Sequence, residues 1–223
     1  MTPLASLLAE AGVEERLVEP LARYGVLVLE ANRRSNLTGA KSPEELLEHL
    51  LDSLSVVPFV REPYVDVGSG AGFPAIPVAI AAGVPVTLVE STAKKARFLQ
   101  EALGELGLAG KVVAERAERA AHDPNLRERF ASATARAVAV APAVAELLVP
   151  LLAVGGAAIL QRGRLEEPER RALEDAALVL GARVESEHAL DGDRRIIVLR
   201  KERPTSTRFP RRIGIPEKRP LCL

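Results

Sequence analysis

From Tyr64 to Lys201 the chain alternates between short β-rich runs and segments of helical length, and few folds accept such a pattern. The runs are YVDV (64–67), VTLVE (86–90), KVVAE (111–115), SATARA (132–137), GAAILQ (156–161), ARVESEHAL (182–190) and RRIIVLRK (194–201). Segments such as Lys94–Leu106 and Ala143–Leu151 are long enough to return the chain for parallel pairing of the first five runs. Only Asp191-Gly192-Asp193 separates the last two, which is too short for a crossover and demands an antiparallel hairpin. The expected fold is α/β, a Rossmann-like, seven-stranded, mostly parallel sheet with an antiparallel terminal hairpin.

Residues 1–60 carry no strand signal and read as helices. Apolar positions recur every three or four residues from Leu4 to Leu29, and a polar break follows at Asn32–Lys41. Ser42 as N-cap, Pro43 at the first helical position and Glu45 closing a capping box start a further helix, predicted to run to about Val57. The organisation predicted is a helical segment (1–60), a core (61–201) and a basic tail (202–223) in one compact domain.

With Lys+Arg and Asp+Glu both at 30, net charge gives no hint of a partner, but its distribution does. From Arg200 to Leu223 eight basic residues face two acidic ones, a net of +6 in a Pro-containing segment of the kind that lies on a polyanion. A lone cysteine, Cys222, makes no internal disulfide, and the start MTPLASLLAEAG lacks a basic flank and a long apolar stretch. No apolar run approaches the roughly 18 residues of a membrane span. These features predict a cytoplasmic protein without a membrane contact. The three histidines and one cysteine show no metal-ligand spacing, so no metal is expected.

Asp66-Val67-Gly68-Ser69-Gly70-Ala71-Gly72-Phe73-Pro74 follows the first strand directly and precedes a helix-length segment. In that context a glycine-rich turn brings backbone close to a nucleotide ligand. Counted from Gly68, Phe73 stands where a dinucleotide fingerprint needs a small residue, which weakens an NAD(P) oxidoreductase reading. A phosphate cradle of the G-x-x-x-x-G-K-[ST] type is absent from the sequence. An adenosine ligand without a pyrophosphate remains, and Glu90, at the end of the second strand, is placed to accept from its ribose hydroxyls. The competing structural role for these residues is a tight turn and a helix cap.

DVGSGAGFPAIPVAI, VTLVESTAKKARFL, RAE at 116–118, ARAVA at 135–139, NLTG at 36–39, HLLDSL at 49–54 and the tail RFPRRIGIPEKRPL together resemble the glucose-inhibited division protein B family. These are RsmG-type small-subunit (16S) ribosomal RNA guanine-N7 methyltransferases. The resemblance implies a class I S-adenosylmethionine-dependent methyltransferase fold behind N-terminal helices, with S-adenosyl-L-methionine as cofactor. It implies that Gly68, Gly70 and Phe73 surround the methionine and adenosine parts, that Glu90 holds the ribose, and that Ser91, Thr92 and Ala93 continue that wall. Ala117 and Glu118 then flank the adenine, and Arg136 faces the point where methyl donor and base meet, as a cofactor contact and the catalytic candidate. Ala75 departs from a usual Gly, and Gln161-Arg162-Gly163 stands where a Lys-Gly pair is common, with Arg162 one position from the lysine's charge.

Guanine N7 carries an in-plane lone pair and no proton, so methylation there needs positioning more than a strong base, and no catalytic triad is expected. Arg136, a planar fork, suits the O6 acceptor, although an ion pair at the strand end is its competing role. His49, Asp52 and Ser53 share a helix face that the resemblance places beside the active site, although such a histidine is usually structural. In an A-form helix N7 lies in a groove closed to side chains, so the expected partner is a splayed base of ribosomal RNA in the small subunit or its precursor. RNA contacts are expected from His49, Arg33, Arg34, Arg208, Arg211, Arg212 and Lys218, with Lys41 a further phosphate contact, and the chain is expected to act as a monomer. The alternatives are a small-molecule or protein methyltransferase, an NAD(P)-binding oxidoreductase, and an RNA-binding assembly factor without chemistry.

Overall fold

A computed structural model of the chain describes residues 2–136 and 138–223. Three helices lead, α1 (Pro3–Glu10), α2 (Glu15–Ser35) and α3 (Pro43–Leu54). The core follows as β1 (Tyr64–Val67), α4 (Ala75–Ala82), β2 (Val86–Val89), α5 (Ala93–Leu106), β3 (Gly110–Val113) and α6 (Ala117–Ala120). It continues as β4 (Phe130–Arg136), α7 (Ala141–Leu148), β5 (Leu152–Gly163), α8 (Glu167–Leu180), β6 (Ala182–Ala189) and β7 (Arg194–Lys201), and a short α9 (Ile215–Lys218) lies in the tail. The strands form one sheet in the order β3-β2-β1-β4-β5-β7-β6, parallel through β5, with β7 antiparallel to both β5 and β6. This is the predicted sheet with its terminal hairpin. Ala137, counted into the fourth strand run, lies outside the described residues.

Why the strands read as nearly unbroken apolar runs is clear from their two faces. Tyr64, Ile159, Ile196 and Val198 join an apolar cluster with the helices α1 to α5. Val65, Val67, Leu160, Ile197 and Leu199 join a second cluster under α7 and α8, which also takes in Phe209 of the tail. The N-terminal helices therefore pack onto α4 and α5 and share the cluster on that side of the sheet.

Three local expectations need correction. The helix that begins at Pro43 ends at Leu54, not near Val57, because Pro58 has no N–H for a further helical bond and sits in a 3-10 turn, Val57–Phe59. Its Ser42 cap holds, Oγ accepting from the Glu45 N–H at 3.3 Å, but the Glu45 carboxylate accepts from the Lys41 N–H at 2.6 Å instead of closing on Ser42. The polar break also starts later, since α2 runs through Asn32. The Asn32 side chain then organises the NLTG turn, accepting from Leu37 and Thr38 N–H and donating to the Ala40 carbonyl.

The glycine turn after β1 is fixed from beneath by Tyr24, whose hydroxyl donates to the Ala71 carbonyl at 2.7 Å. Gly72 has φ +101°, and a Cβ there would lie 2.7 Å from Ile76 Cδ1 and 2.8 Å from Tyr24 Oη. Gly72→Ala therefore combines backbone strain with a collision in a close-packed site. It is expected to lower stability by about 1–3 kcal/mol or more, read as a lower urea midpoint at unchanged m-value.

Candidate functional site

The carboxyl ends of the parallel strands gather the chemistry, as open α/β sheets require. Gly68 and Ser69 N–H both donate to the Val89 carbonyl, which folds the turn over the ends of β1 and β2. Gly68 and Gly70 have φ +71° and +58°. A Cβ on Gly68 would meet Val138 at 2.7 Å, whereas at Gly70 the nearest atom would be 3.7 Å away, an ordinary contact, so the turn is uncrowded there. Glu90 is 6% exposed and clamps this arrangement: its two oxygens accept from the Gly70 N–H at 2.9 Å and the Thr92 N–H at 2.7 Å. A carboxylate has about four acceptor positions, so the clamp leaves capacity for ribose hydroxyls.

Beside the turn lies a cavity of about 270 Å³, with Gly68, Ser91, Ala117, Glu118, Val138 and Pro216 among its lining. Of the other residues predicted for this site, Gly70, Glu90, Thr92 and Ala93 are not among the lining; Thr92 and Ala93 begin α5 as its cap and first residue. Glu118 is nearly buried and its carboxylate is engaged, accepting from the Gly214 N–H at 2.7 Å with Arg116 at 3.5 Å.

A second cavity of about 300 Å³ meets the first at Ala139. Asp52, Arg136, Gln161, Arg162 and Arg194 line it. The predicted face of α3 divides here. His49 and Asp52 approach Arg136, whose Nη1 is 3.5 Å from His49 Nδ1 and 3.2 Å from Asp52 Oδ2. Ser53 is buried and its hydroxyl donates back to the His49 carbonyl, so it takes no part. Phe73 is not at either cavity: it is buried against the rings of Tyr24 and His49, and the Arg136 guanidinium lies over it at 5.1 Å. Its ring thus supports both Arg136 and His49. Arg136 makes the ion pair weighed from the sequence, with Asp52, and lines the second cavity and not the first. Burial, then the Arg136 charge, holds the His49 imidazole below its usual pKa and thus neutral.

The sequence reading gave Asp66 and Gln161 no role and met Arg162 only as a possible substitute for a lysine's charge. Asp66 is buried at the end of β1, accepts from Thr134 Oγ1 through Oδ1 and leaves Oδ2 without a partner. Gln161 donates from Nε2 to the Asp52 carbonyl at 2.6 Å, and its Oε1 has no partner. Arg162 pairs with Glu169 at 2.8 Å while its Nε lacks an acceptor. The acid ahead of the first glycine and the Gln-Arg-Gly departure were the available signals.

The predicted RNA contacts separate by pairing. Arg33, Arg34, Lys41, Arg208, Arg212 and Lys218 are exposed. Arg211 is not a free cation: it forks onto Glu146, which is fully buried, at 2.9 and 2.7 Å, because a carboxylate under α7 demands a partner.

The glycine turn, the clamp at Glu90 and the paired cavities at the sheet edge define a Rossmann-like methyltransferase. A mutant MtNAS in complex with S-adenosylmethionine aligns with a TM-score of 0.55 at 18% identity, over 90% of this chain and 83% of that one. A branched-chain polyamine synthase mutein from Thermus thermophilus aligns at 0.60 and 14% identity, over 84% and 64%. A family profile described as rRNA small subunit methyltransferase G (GidB) matches residues 17–198. Ribosomal RNA small subunit methyltransferase G of Rubrobacter xylanophilus is 45% identical over 87% of this chain and 80% of its own length. That of Pelotomaculum thermopropionicum is 40% identical over 94% and 92%. The chain belongs to the rRNA small subunit methyltransferase G family.

Burial pushes the Asp66 carboxyl up to about 7, against the Thr134 hydrogen bond and the Arg136 charge that lower it. Between an unfolded value near 3.8 and that folded value, the native chain holds a proton that the unfolded chain has released. The stability this group contributes therefore falls as pH rises through the window. Asp66→Asn is expected to remove up to about 4 kcal/mol of the stability lost between about pH 4 and pH 7. Equal losses in parent and variant, by urea titration across that range, contradict a protonated Asp66.

Proposed function

We propose that the chain methylates N7 of a guanine at a specific site in 16S ribosomal RNA, using S-adenosyl-L-methionine. The observation that carries this reading is the meeting of two cavities beside Arg136, one walled by a glycine turn and one by polar groups with unmet hydrogen bonds. The unpartnered Asp66 Oδ2 under the turn, the uncrowded turn at Gly70 and the spare acceptors of Glu90 fit a ligand with an ammonium group and a ribose. Gly68, Gly70, Glu90, Ser91, Ala117 and Glu118 would hold the cofactor. When bound, S-adenosylmethionine supplies an electrophilic sulfonium methyl.

The remaining work is positioning. N7 needs no base, and no residue is asked to remove a proton. Arg136, held by Asp52 and laid on Phe73, donates to the O6 acceptor beside N7, while neutral His49 adds no cation where positive charge moves to the base. Arg162 and Arg194 border the same cavity and favour an acceptor-rich edge. The exposed Arg33, Arg34, Lys41, Arg208, Arg212 and Lys218 supply phosphate contacts, which makes RNA affinity strongly salt-dependent. This substrate places the chain in the cytoplasm, working as a monomer on the small subunit. Among the described residues no helix is long and apolar enough to cross a membrane.

The test is methyl transfer from labelled S-adenosylmethionine to small subunits from a strain lacking this gene, with mapping of the modified nucleotide. A single N7-methylguanine is expected. Label on another base discards the acceptor, and no transfer despite cofactor binding points to a small-molecule or protein substrate. Arg136→Ala is expected to lower kcat at least about 100-fold, as loss of an oriented donor does. The affinity for S-adenosylhomocysteine, by calorimetry, stays within about threefold.

A further inference from the structure

The tail is pinned in two stages. The Arg127 guanidinium donates to the carbonyls of Thr205 and Phe209, each at 2.8 Å, and of Ser206 at 3.1 Å. His122 Nε2 lies 2.8 Å from the Pro210 carbonyl, and Arg211 closes on Glu146 through both backbone and side chain. Beyond this anchor the chain turns toward the sheet edge. The Gly214 N–H donates to Glu118 Oε1, Pro216 is buried, and Pro216 and Glu217 line the 270 Å³ cavity opposite Gly68 and Ser91.

We propose that residues 214–218 are a wall of the cofactor site, and that this part of the tail serves cofactor retention. The inference rests on the reading of that cavity as the S-adenosylmethionine site. Gly68, Ser91 and Ala117 present backbone and small side chains from the sheet edge, and Ala143 and Leu147 of α7 line the same cavity. Pro216 covers it with apolar surface, and its rigid ring loses little entropy when it packs on a ligand. Glu118 is the hinge point between the two walls: its carboxylate lines the cavity and holds the tail by the Gly214 N–H at once. The wall is thus built onto a residue of the site itself, and the buried Glu146 with Arg211 fixes its approach.

Two variants separate the wall from the anchor. Deletion of residues 214–223 removes Pro216 and Glu217 but keeps Phe209 and the Arg211–Glu146 pair; Pro216→Asp alters the wall alone. Each is compared with the full chain for S-adenosylhomocysteine affinity by calorimetry and for release rate by stopped flow, with circular dichroism and melting temperature as folding checks. The expected result is a Kd about tenfold weaker in both, carried mainly by faster release, with the fold unchanged. A full chain that binds while both variants keep Kd within about twofold overturns the wall. A full chain that binds no S-adenosylhomocysteine overturns the cofactor reading itself, and the inference with it. If the deletion unfolds the chain, Pro216→Asp decides alone.

Discussion

The guanidinium of Arg136 joins three parts of the chain that are far apart in sequence, and the site depends on that junction. Asp52 brings α3 to it, Phe73 brings the end of the glycine turn, and β4 supplies it from the middle of the sheet. With its side chain only 17% exposed, the cation is partly desolvated, so its carboxylate and aromatic contacts are worth more than a surface pair of equal geometry. The same contacts limit where it can point. Asp52 also faces Arg194 at 3.4 Å, and its backbone carbonyl takes the Gln161 amide, so one turn of α3 organises the end of β4, the end of β5 and the start of β7.

That junction explains why a helical segment precedes the sheet. Without α3 the second cavity would lose its Asp52 wall, and Arg136 would lose the anion that orients it. The glycine turn is bound to the same helices, since Tyr24 of α2 holds the Ala71 carbonyl and packs on Phe73. Residues 1–60 therefore belong to the working site as much as to the core.

Much of this was legible because local physics decides it. Strands buried on both faces leave apolar runs, a three-residue link forces a hairpin, and a glycine turn between strand and helix marks a ligand edge. What stayed hidden depends on partners distant in sequence. Asp66 reads as part of a turn motif until burial leaves one oxygen unpartnered. The packing of Phe73 against Tyr24, His49 and Arg136 could not be read from spacing either. The end of α3 was misplaced although Pro58 was visible, because apolar periodicity continues through Val56 and Val57 where the backbone cannot follow.

The tail shows most plainly how charge in a sequence differs from charge on a surface. Of its basic residues, Arg200 pairs with Glu185, Lys201 is fully buried against Glu128 and two carbonyls, and Arg211 is held by Glu146. Those cations neutralise carboxylates of the body and add little field at long range. Arg203, Arg208, Arg212, Lys218 and Arg219 remain exposed, so five of the eight cations and not all of them are free to meet a polyanion. Because counterion release scales with the phosphates actually neutralised, the share of this segment in the proposed RNA binding is set by those five. The paired residues do something else: they fix the course of the chain so that its last turn arrives at Glu118 and the cavity beside it.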